Sequence, residues 1–243
     1  MKGIILAGGM GTRMLPLTKI TNKHLLPVYD KPMIFYPIQT LVNAGIDDIM
    51  IVTGGESAGD FLRLMGNGKE FGLKHLNYTY QEGAGGIAAA LALTEHFADD
   101  DSIVLILGDN VIEKNIIKGV RDFEKQERGA KIYLKEVANP QSYGIAEMKG
   151  DRIVGIEEKP EKPKSNMAVI GIYMYDNKVY DIVRKLKPSG RGELEITDVN
   201  NFYIDQSTMT FEVLDGWWGD CGESFDSMLD AANLIAKTGA NKV

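Results

Sequence analysis

Strand-length apolar runs, each stopped by glycine or a turn former and each followed by a segment of helical period, constrain this chain more than any other feature. Lys2–Leu6 (KGIIL) reads as a buried strand that runs into a glycine turn. Asp48–Thr53, His75–Tyr80, Ser102–Leu107 and Lys131–Val137 read as further strands. Helical patterns are expected over Lys31–Ala44, stopped by Gly45, and over Ser57–Met65, Gly86–Phe97 and Glu113–Glu127. Strand, helix, strand at this spacing specifies right-handed βαβ units and parallel pairing.

The second half is more mixed. Ile145–Met148 and Arg152–Glu157 read as a hairpin around Lys149-Gly150-Asp151. Met167–Tyr175 and Thr210–Leu214 read as strands, Lys178–Leu186 and Glu195–Gln206 as helices, and Glu223–Lys237 as a closing helix. Repeats and linkers are absent, and the Pro/Lys-rich Lys159–Ser165 reads as a surface loop. The expectation is an α/β fold: a mixed, mostly parallel sheet flanked by helices, in one domain over residues 1–243.

Composition narrows the function classes. Hydrophobic residues make up 44%, enough for a sizeable core. With 27 Lys and Arg against 34 Asp and Glu, the net charge of −7 opposes non-specific nucleic-acid binding, which needs a basic footprint. No apolar stretch approaches the ~18 residues of a membrane span, and the N-terminal run is too short for a signal peptide. The single cysteine, Cys221, excludes an internal disulfide and a Cys-based metal cluster, and suits a reducing cytoplasm.

In a parallel α/β sheet, ligands bind outside the carboxyl ends of the strands. The first strand is followed by Leu6-Ala7-Gly8-Gly9-Met10-Gly11-Thr12-Arg13. Its glycines leave backbone N–H groups free to face an anion, and Arg13 adds a permanent multi-donor cation, with Lys23 ten residues further on. A phosphate-rich ligand is the natural guest; a tight turn without a ligand is the plain alternative. The dinucleotide fingerprint fails at Met14, and the Gly-Lys-Ser/Thr of a P-loop is absent. Asp109 follows SIVLILG, and Asp220 lies in WWGDCG. Two convergent carboxylates beside a phosphate loop suit Mg²⁺, although either alone also reads as a cap or turn former. Glu157–Pro160 and Gly190–Glu193 offer charges of both signs, suited to a sugar phosphate or to salt-bridged surface.

Gly55-Glu56-Ser57-Ala58-Gly59 matches the nucleophile elbow of serine hydrolases. That fold places its histidine last, after the acid, and no histidine follows His96. Ser57 is therefore expected to cap a helix. His24, His75 and His96 lack metal-ligand spacing, and the last two read as surface or strand-edge residues. The 11 methionines read as core filler.

LAGGMGTRMLPLT followed by NKHLLPVYDKPMI resembles the opening of the sugar-1-phosphate nucleotidylyltransferases, or sugar-nucleotide pyrophosphorylases. Further matches are LGDN at 107–110, Tyr143-Gly144, EEKP at 157–160, Gly171-Ile172-Tyr173, RGELEITD at 191–198 and Gly219-Asp220-Cys221-Gly222. Their order and spacing are most similar to the thymidylyl branch, favoured by RGELEITD and KPMIFYP. The resemblance implies a Rossmann-like domain of nucleotidyltransferase type. Its nucleotide part would lie mainly in 1–110 and its sugar-phosphate part in 111–222, with the closing helix at 223–237. The implied reaction joins dTTP and α-D-glucose 1-phosphate into dTDP-glucose and pyrophosphate, the first step of dTDP-rhamnose synthesis.

The resemblance also implies residue roles. Leu6, Ala7, Gly8, Gly9, Gly11, Thr12 and Arg13 would line the nucleotide, with Arg13 at the β/γ-phosphates and Lys23 near the α-phosphate. Gln81 and Gly86 would read the base, and Asp109 and Asp220 would hold Mg²⁺. Gly144, Glu158, Lys159, Val169 and Tyr173 would hold the sugar, with Arg191 at its phosphate. A sugar-phosphate oxygen is ionised at neutral pH, so a direct in-line displacement needs no general base. The chain departs from the branch at His24, where glutamine is usual, and in the base loop Gln81–Gly86, which lacks the usual Pro-Asp-Gly. A UTP-dependent uridylyltransferase and a non-catalytic sugar-nucleotide sensor are the alternatives. Longer members continue past the region of the 223–237 helix into a helical segment tied to assembly and to a regulatory nucleotide site. A homo-oligomer without membrane or nucleic-acid partners is expected.

Overall fold

The computed structural model describes residues 1–126 and 128–243. β1 (Lys2–Ala7) leads through the glycine turn and short 3-10 turns to a small ribbon, β2 (Pro27–Val28) and β3 (Lys31–Pro32), and to α1 (Phe35–Asn43). Next come β4 (Asp48–Gly54), α2 (Ala58–Met65), β5 (His75–Gln81), α3 (Ile87–Ala92) and α4 (Glu95–Ala98). β6 (Ile103–Leu107) and the short β7 (Asn110–Ile112) precede α5 (Ile117–Glu124) and β8 (Ala130–Glu136). The remainder is β9 (Gly144–Lys149), β10 (Arg152–Glu158), β11 (Met167–Tyr175), α6 (Val179–Val183), α7 (Ile196–Asp205), β12 (Met209–Val213), β13 (Trp218–Asp220) and α8 (Phe225–Thr238).

The main sheet has the order β10-β9-β11-β6-β1-β4-β5, with β8 added to β11 and β12 to β8. β6, β1, β4 and β5 run parallel, in the register Ile4↔Leu105 and Ile4↔Met50. β11 joins β6 antiparallel, with Ile172 opposite Ile106. β6 therefore divides a parallel N-terminal half from a second half that contains the β9–β10 hairpin. Alternate side chains of a strand point to opposite faces. Ile4 and Leu105 pack with Leu91, Val179 and Val199 of α3, α6 and α7. Ile5 and Ile106 pack with Ile38, Phe61 and Val120 of α1, α2 and α5. Burial on both faces is why these strands read as unbroken apolar runs rather than as alternating ones. A third cluster, including Val111, Cys221, Ala231 and Ile235, fastens α8 under the β7–β13 ribbon.

Several expected boundaries shift for local reasons. The helix expected from Lys31 starts at Phe35, because Lys31 and Pro32 pair with Val28 and Pro27. The 86–97 helix breaks after Ala92, and the Thr94 hydroxyl donates to the Leu91 carbonyl at 2.7 Å. The 113–127 helix occupies only Ile117–Glu124, with the Asn115 side chain accepting the Ile117 N–H at 3.0 Å; residue 127 lies outside the described residues. The 178–186 helix shrinks to Val179–Val183. β7 and β13, pairing only three residues each, were not anticipated. Ser57 precedes α2, but its side chain makes no capping hydrogen bond. His75 lies on edge strand β5 and His96 on α4, both exposed as expected. Among the described residues no helix is long and apolar enough to cross a membrane.

Candidate active site

The carboxyl ends of β1, β5 and β6 and the facing parts of β9, β10, β11 and α7 surround one cavity of about 640 Å³. Most of the residues anticipated from the sequence line it. Leu6, Gly8, Gly9, Arg13, Lys23, Gln81 and Gly86 come from the N-terminal half. Asp109 follows the dividing strand. Gly144, Glu158, Lys159, Val169, Tyr173, Arg191 and Asp220 come from the second half. Ala7, Gly11 and Thr12 are not among the lining residues. Ala7 is fully buried in β1, and Gly11 supplies the left-handed turn before Thr12, with φ 62°.

Lys23 is held by its neighbours. The Asn22 side chain donates to the Ala7 carbonyl at 3.1 Å, stitching this loop to the end of β1. That bond fixes the amide orientation. The Asn22 Oδ1 then accepts the His24 backbone N–H at 3.0 Å and the His24 Nδ1–H at 2.7 Å. Burial, reinforced by the Lys23 charge, pulls the His24 imidazole down to about 3, so it stays neutral. The Lys23 Nζ donates to Asp109 Oδ2 at 2.5 Å.

The other Asp109 oxygen accepts from the Asn110 amide at 3.1 Å. Asn110 Oδ1 in turn accepts the Trp218 Nε1–H at 2.7 Å and the Gly171 N–H at 3.1 Å. β13 pairs with β7 so that Asp220 stands opposite Asn110, one residue from Asp109. The Cys221 N–H donates to the Asp109 carbonyl at 2.9 Å. Burial would raise the Asp109 carboxyl, but Lys23, His24 and Asn110 outweigh it and hold it below the usual carboxylate range. Asp220 behaves oppositely: burial, then the Asp109 charge, push it up to about 7. Both effects belong to one pair of neighbouring carboxyls, one stabilised as an anion and the other opposed by it.

This donor set suits a hard divalent cation. Among the described residues no group of three or more His, Cys, Asp or Glu side chains gathers as a metal cage. Two carboxylates are what Mg²⁺ uses when substrate phosphates supply further oxygens. Gly222 leaves open the space beside Asp109 Oδ2 and Lys23 Nζ, which a Cβ at that position would fill.

The opposite wall carries the mixed charge expected of a sugar-phosphate site. Glu158 ends β10 opposite Gly144. It accepts the Thr197 hydroxyl at 2.7 Å and faces Arg191 at 3.5 Å. Arg191 is held chiefly by Glu195, through Nη2 at 2.8 Å and Nε at 3.1 Å. The Tyr143 hydroxyl donates to Glu223 at 2.5 Å, tying the hairpin to the Asp220 loop. Gly86 has φ 89°, and a Cβ there would meet the Leu194 carbonyl oxygen at 2.6 Å. That close approach allows two backbone bonds, Leu194 N–H to the Gly85 carbonyl (2.9 Å) and Ala88 N–H to the Leu194 carbonyl (3.2 Å). They join the loop before α3 to the loop carrying Arg191.

Sequence reasoning assigned no role to Asn110, Tyr143, Glu195, Thr197, Asn200, Trp218 or Glu223, which also line the cavity. Asn110, Tyr143, Glu195, Trp218 and Glu223 lie within four residues of an anticipated residue, Thr197 lies inside the RGELEITD motif at 191–198 and Asn200 two residues beyond it, so proximity to a motif was the one available signal. Ser57 is not among the cavity residues, which leaves the hydrolase reading without a site.

A two-sided cavity of this kind on a mixed α/β sheet defines a nucleotidyl-transfer fold. The chain belongs to the nucleotidyl transferase family, whose model matches residues 2–238. It is 46% identical over 239 residues to a glucose-1-phosphate thymidylyltransferase of Mycolicibacterium smegmatis, covering 97% of this chain and 82% of that protein. A thymidylyltransferase of the same name from Neisseria meningitidis is 42% identical over the same shares. Among solved structures, one described as a glucose-1-phosphate thymidylyltransferase from Bacillus anthracis, in complex with sucrose, matches with TM-score 0.92 and 48% identity, over 96% of this chain and 94% of that one. A UDP-glucose pyrophosphorylase complexed with UDP-glucose matches with TM-score 0.86 and 27% identity, over 97% and 98%.

Proposed function

We propose that this chain catalyses thymidylyl transfer from dTTP to α-D-glucose 1-phosphate, giving dTDP-glucose and pyrophosphate. The observation that carries the proposal is the position of Asp109. It follows the strand that separates the glycine-turn half of the cavity from the sugar-type half, where the two substrates would meet. The names of the relatives at 42–48% identity favour dTTP over UTP, since the UDP-glucose enzyme stands at 27%.

In this reading Leu6, Gly8, Gly9 and the turn after them bind the triphosphate, and Gln81 and Gly86 face the base. Arg13 is exposed and has no carboxylate partner among the described residues, so it is free to hold the β/γ-phosphates. Gly144, Glu158, Val169 and Tyr173 seat the sugar, while Lys159 and Arg191 hold its phosphate. The sugar-phosphate oxygen attacks the α-phosphorus, the bond to the β-phosphate oxygen breaks, and pyrophosphate leaves with both electrons. No proton has to be removed. The protein's contribution is alignment and neutralisation of charge, with Lys23 stabilising the negative charge that develops at the α-phosphoryl group. Asp109 and Asp220 would hold Mg²⁺, which supplies charge neutralisation at the phosphates when bound. Cys221, buried and free, suits a reducing cytoplasm.

The test is pyrophosphate release from glucose 1-phosphate with dTTP, UTP, CTP, ATP and GTP in parallel, with and without EDTA. Release fastest with dTTP and lost in EDTA supports the reading. Faster release with UTP reassigns the product to UDP-glucose, and no release with any nucleotide leaves a binding protein.

A further inference from the structure

One buried polar atom at this cavity has no partner. Asn200 lies on α7, one turn beyond Thr197, and is only 1% exposed, yet it contributes to the cavity wall. Its Oδ1 accepts the Tyr175 hydroxyl at 2.6 Å, and Tyr175 is wholly buried in the core below. Nδ2, the remaining end, has no hydrogen-bond partner. It is the only buried side-chain nitrogen so placed among the described residues. An unmet buried donor is costly and calls for a partner.

We propose that Asn200 is a specificity-determining residue whose Nδ2 donates to a hydroxyl oxygen of the sugar phosphate. The inference rests on the reading that this half of the cavity seats the sugar. Its neighbours agree with an uncharged acceptor. Thr197 on the same face of α7 is committed to Glu158, and Val169 and Tyr173 of β11 line the same cavity. The phosphate-binding cations Lys159 and Arg191 belong to loops rather than to this helix. A hydroxyl satisfies an N–H donor without a counter-charge, whereas a phosphate would draw on a cation. A site built to pair with a hydroxyl discriminates against an analogue that lacks it.

The test uses the full chain and calorimetric binding of dTTP, glucose 1-phosphate and the four monodeoxy glucose 1-phosphates. Asn200→Leu alone strands the Tyr175 hydroxyl, so Asn200→Leu/Tyr175→Phe, which removes both partners together, is the working variant. Its melting temperature shows that the fold is retained. The expected result is a 3- to 10-fold weaker affinity for glucose 1-phosphate, roughly the worth of one net hydrogen bond, with dTTP affinity unchanged. Exactly one deoxy sugar should bind wild type and variant alike, and that sugar identifies the hydroxyl. Equal affinity of wild type and variant for glucose 1-phosphate overturns the proposal. So does an equal loss on all five sugars, which would make the amide a packing element. A wild type that binds dTTP but no glucose 1-phosphate overturns the substrate reading itself, and this assignment with it.

Discussion

Lys23 and Asp109, 86 residues apart in sequence, form a buried ion pair at 2.5 Å between Nζ and Oδ2, in the floor of the cavity. Each is a group that the proposed reaction needs for something else, the lysine for phosphate and the carboxylate for a cation. Paired, they neutralise each other, which keeps two buried charges tolerable.

Removing one partner leaves the other buried, charged and without its counter-charge, at a cost of about 3–5 kcal/mol. Lys23→Met or Asp109→Leu alone should therefore lower the melting temperature sharply. The pair Lys23→Met/Asp109→Leu should recover most of that loss and still be inactive. Thermal melts of the four proteins, read beside pyrophosphate release, check both halves; a double variant no more stable than the singles contradicts the pairing argument.

Arg13→Ala should leave the fold intact, because Arg13 is exposed and unpaired among the described residues. Turnover should drop by about 10²–10³-fold, the usual cost of one preorganised contact to developing charge. Steady-state kinetics with dTTP and glucose 1-phosphate are the measurement, and near-normal turnover removes Arg13 from the mechanism.

His24 supplies an acid-sensitive stability term. Its imidazole titrates near 3 in the folded chain and at 6.5 when exposed, so between these values the unfolded chain binds the extra proton. The contribution is complete above pH 6.5 and is lost as the pH falls towards 3. At roughly 1.4 kcal/mol per pH unit, it amounts to at most about 2 kcal/mol between pH 6.5 and 5. Denaturant unfolding at these two pH values should show a wild-type difference that His24→Gln reduces. An equal pH response in the variant sinks this account.

Asp220, raised to about 7, binds a proton that a divalent cation must displace. Mn²⁺ affinity, measured by calorimetry or spin resonance, should strengthen by up to about tenfold per unit as the pH rises towards 7, and level off above it. Asp220→Asn should bind more weakly and lose most of this dependence. A flat wild-type profile from pH 6 to 8 counts against Asp220 as a ligand.

Gly86→Ala places a side chain on a backbone with φ 89° and within 2.6 Å of the Leu194 carbonyl oxygen. Left-handed backbone strain of this kind costs about 1–3 kcal/mol. Weaker dTTP binding and a lower melting temperature are expected together, by calorimetry and thermal melt.

What could be read from the sequence follows physical range. The strand ends were legible because an apolar run meeting Gly8 or Asp109 is a local pattern, and the same is true of Asp220 beside its glycines. The Lys23–Asp109 pair, the approach of Arg191 to Glu158 and the Asn110–Trp218 bond were not, because each needs a tertiary approach that no spacing encodes. β7 and β13 escaped notice because three residues are too few to show a period of two. Asn200 was silent for another reason: an asparagine in mid-helix is ordinary, and only the missing partner makes it informative.

The two backbone bonds of Leu194 have a consequence for how such a protein changes over time. In the proposed reading, the segment that faces the base and the segment carrying Arg191 are joined by these two bonds. A substitution that shifts one of these segments should then shift the other. On that reading, an engineer who wants to alter the preference for the nucleotide without the preference for the sugar must first cut, or rebuild, the joint at Leu194.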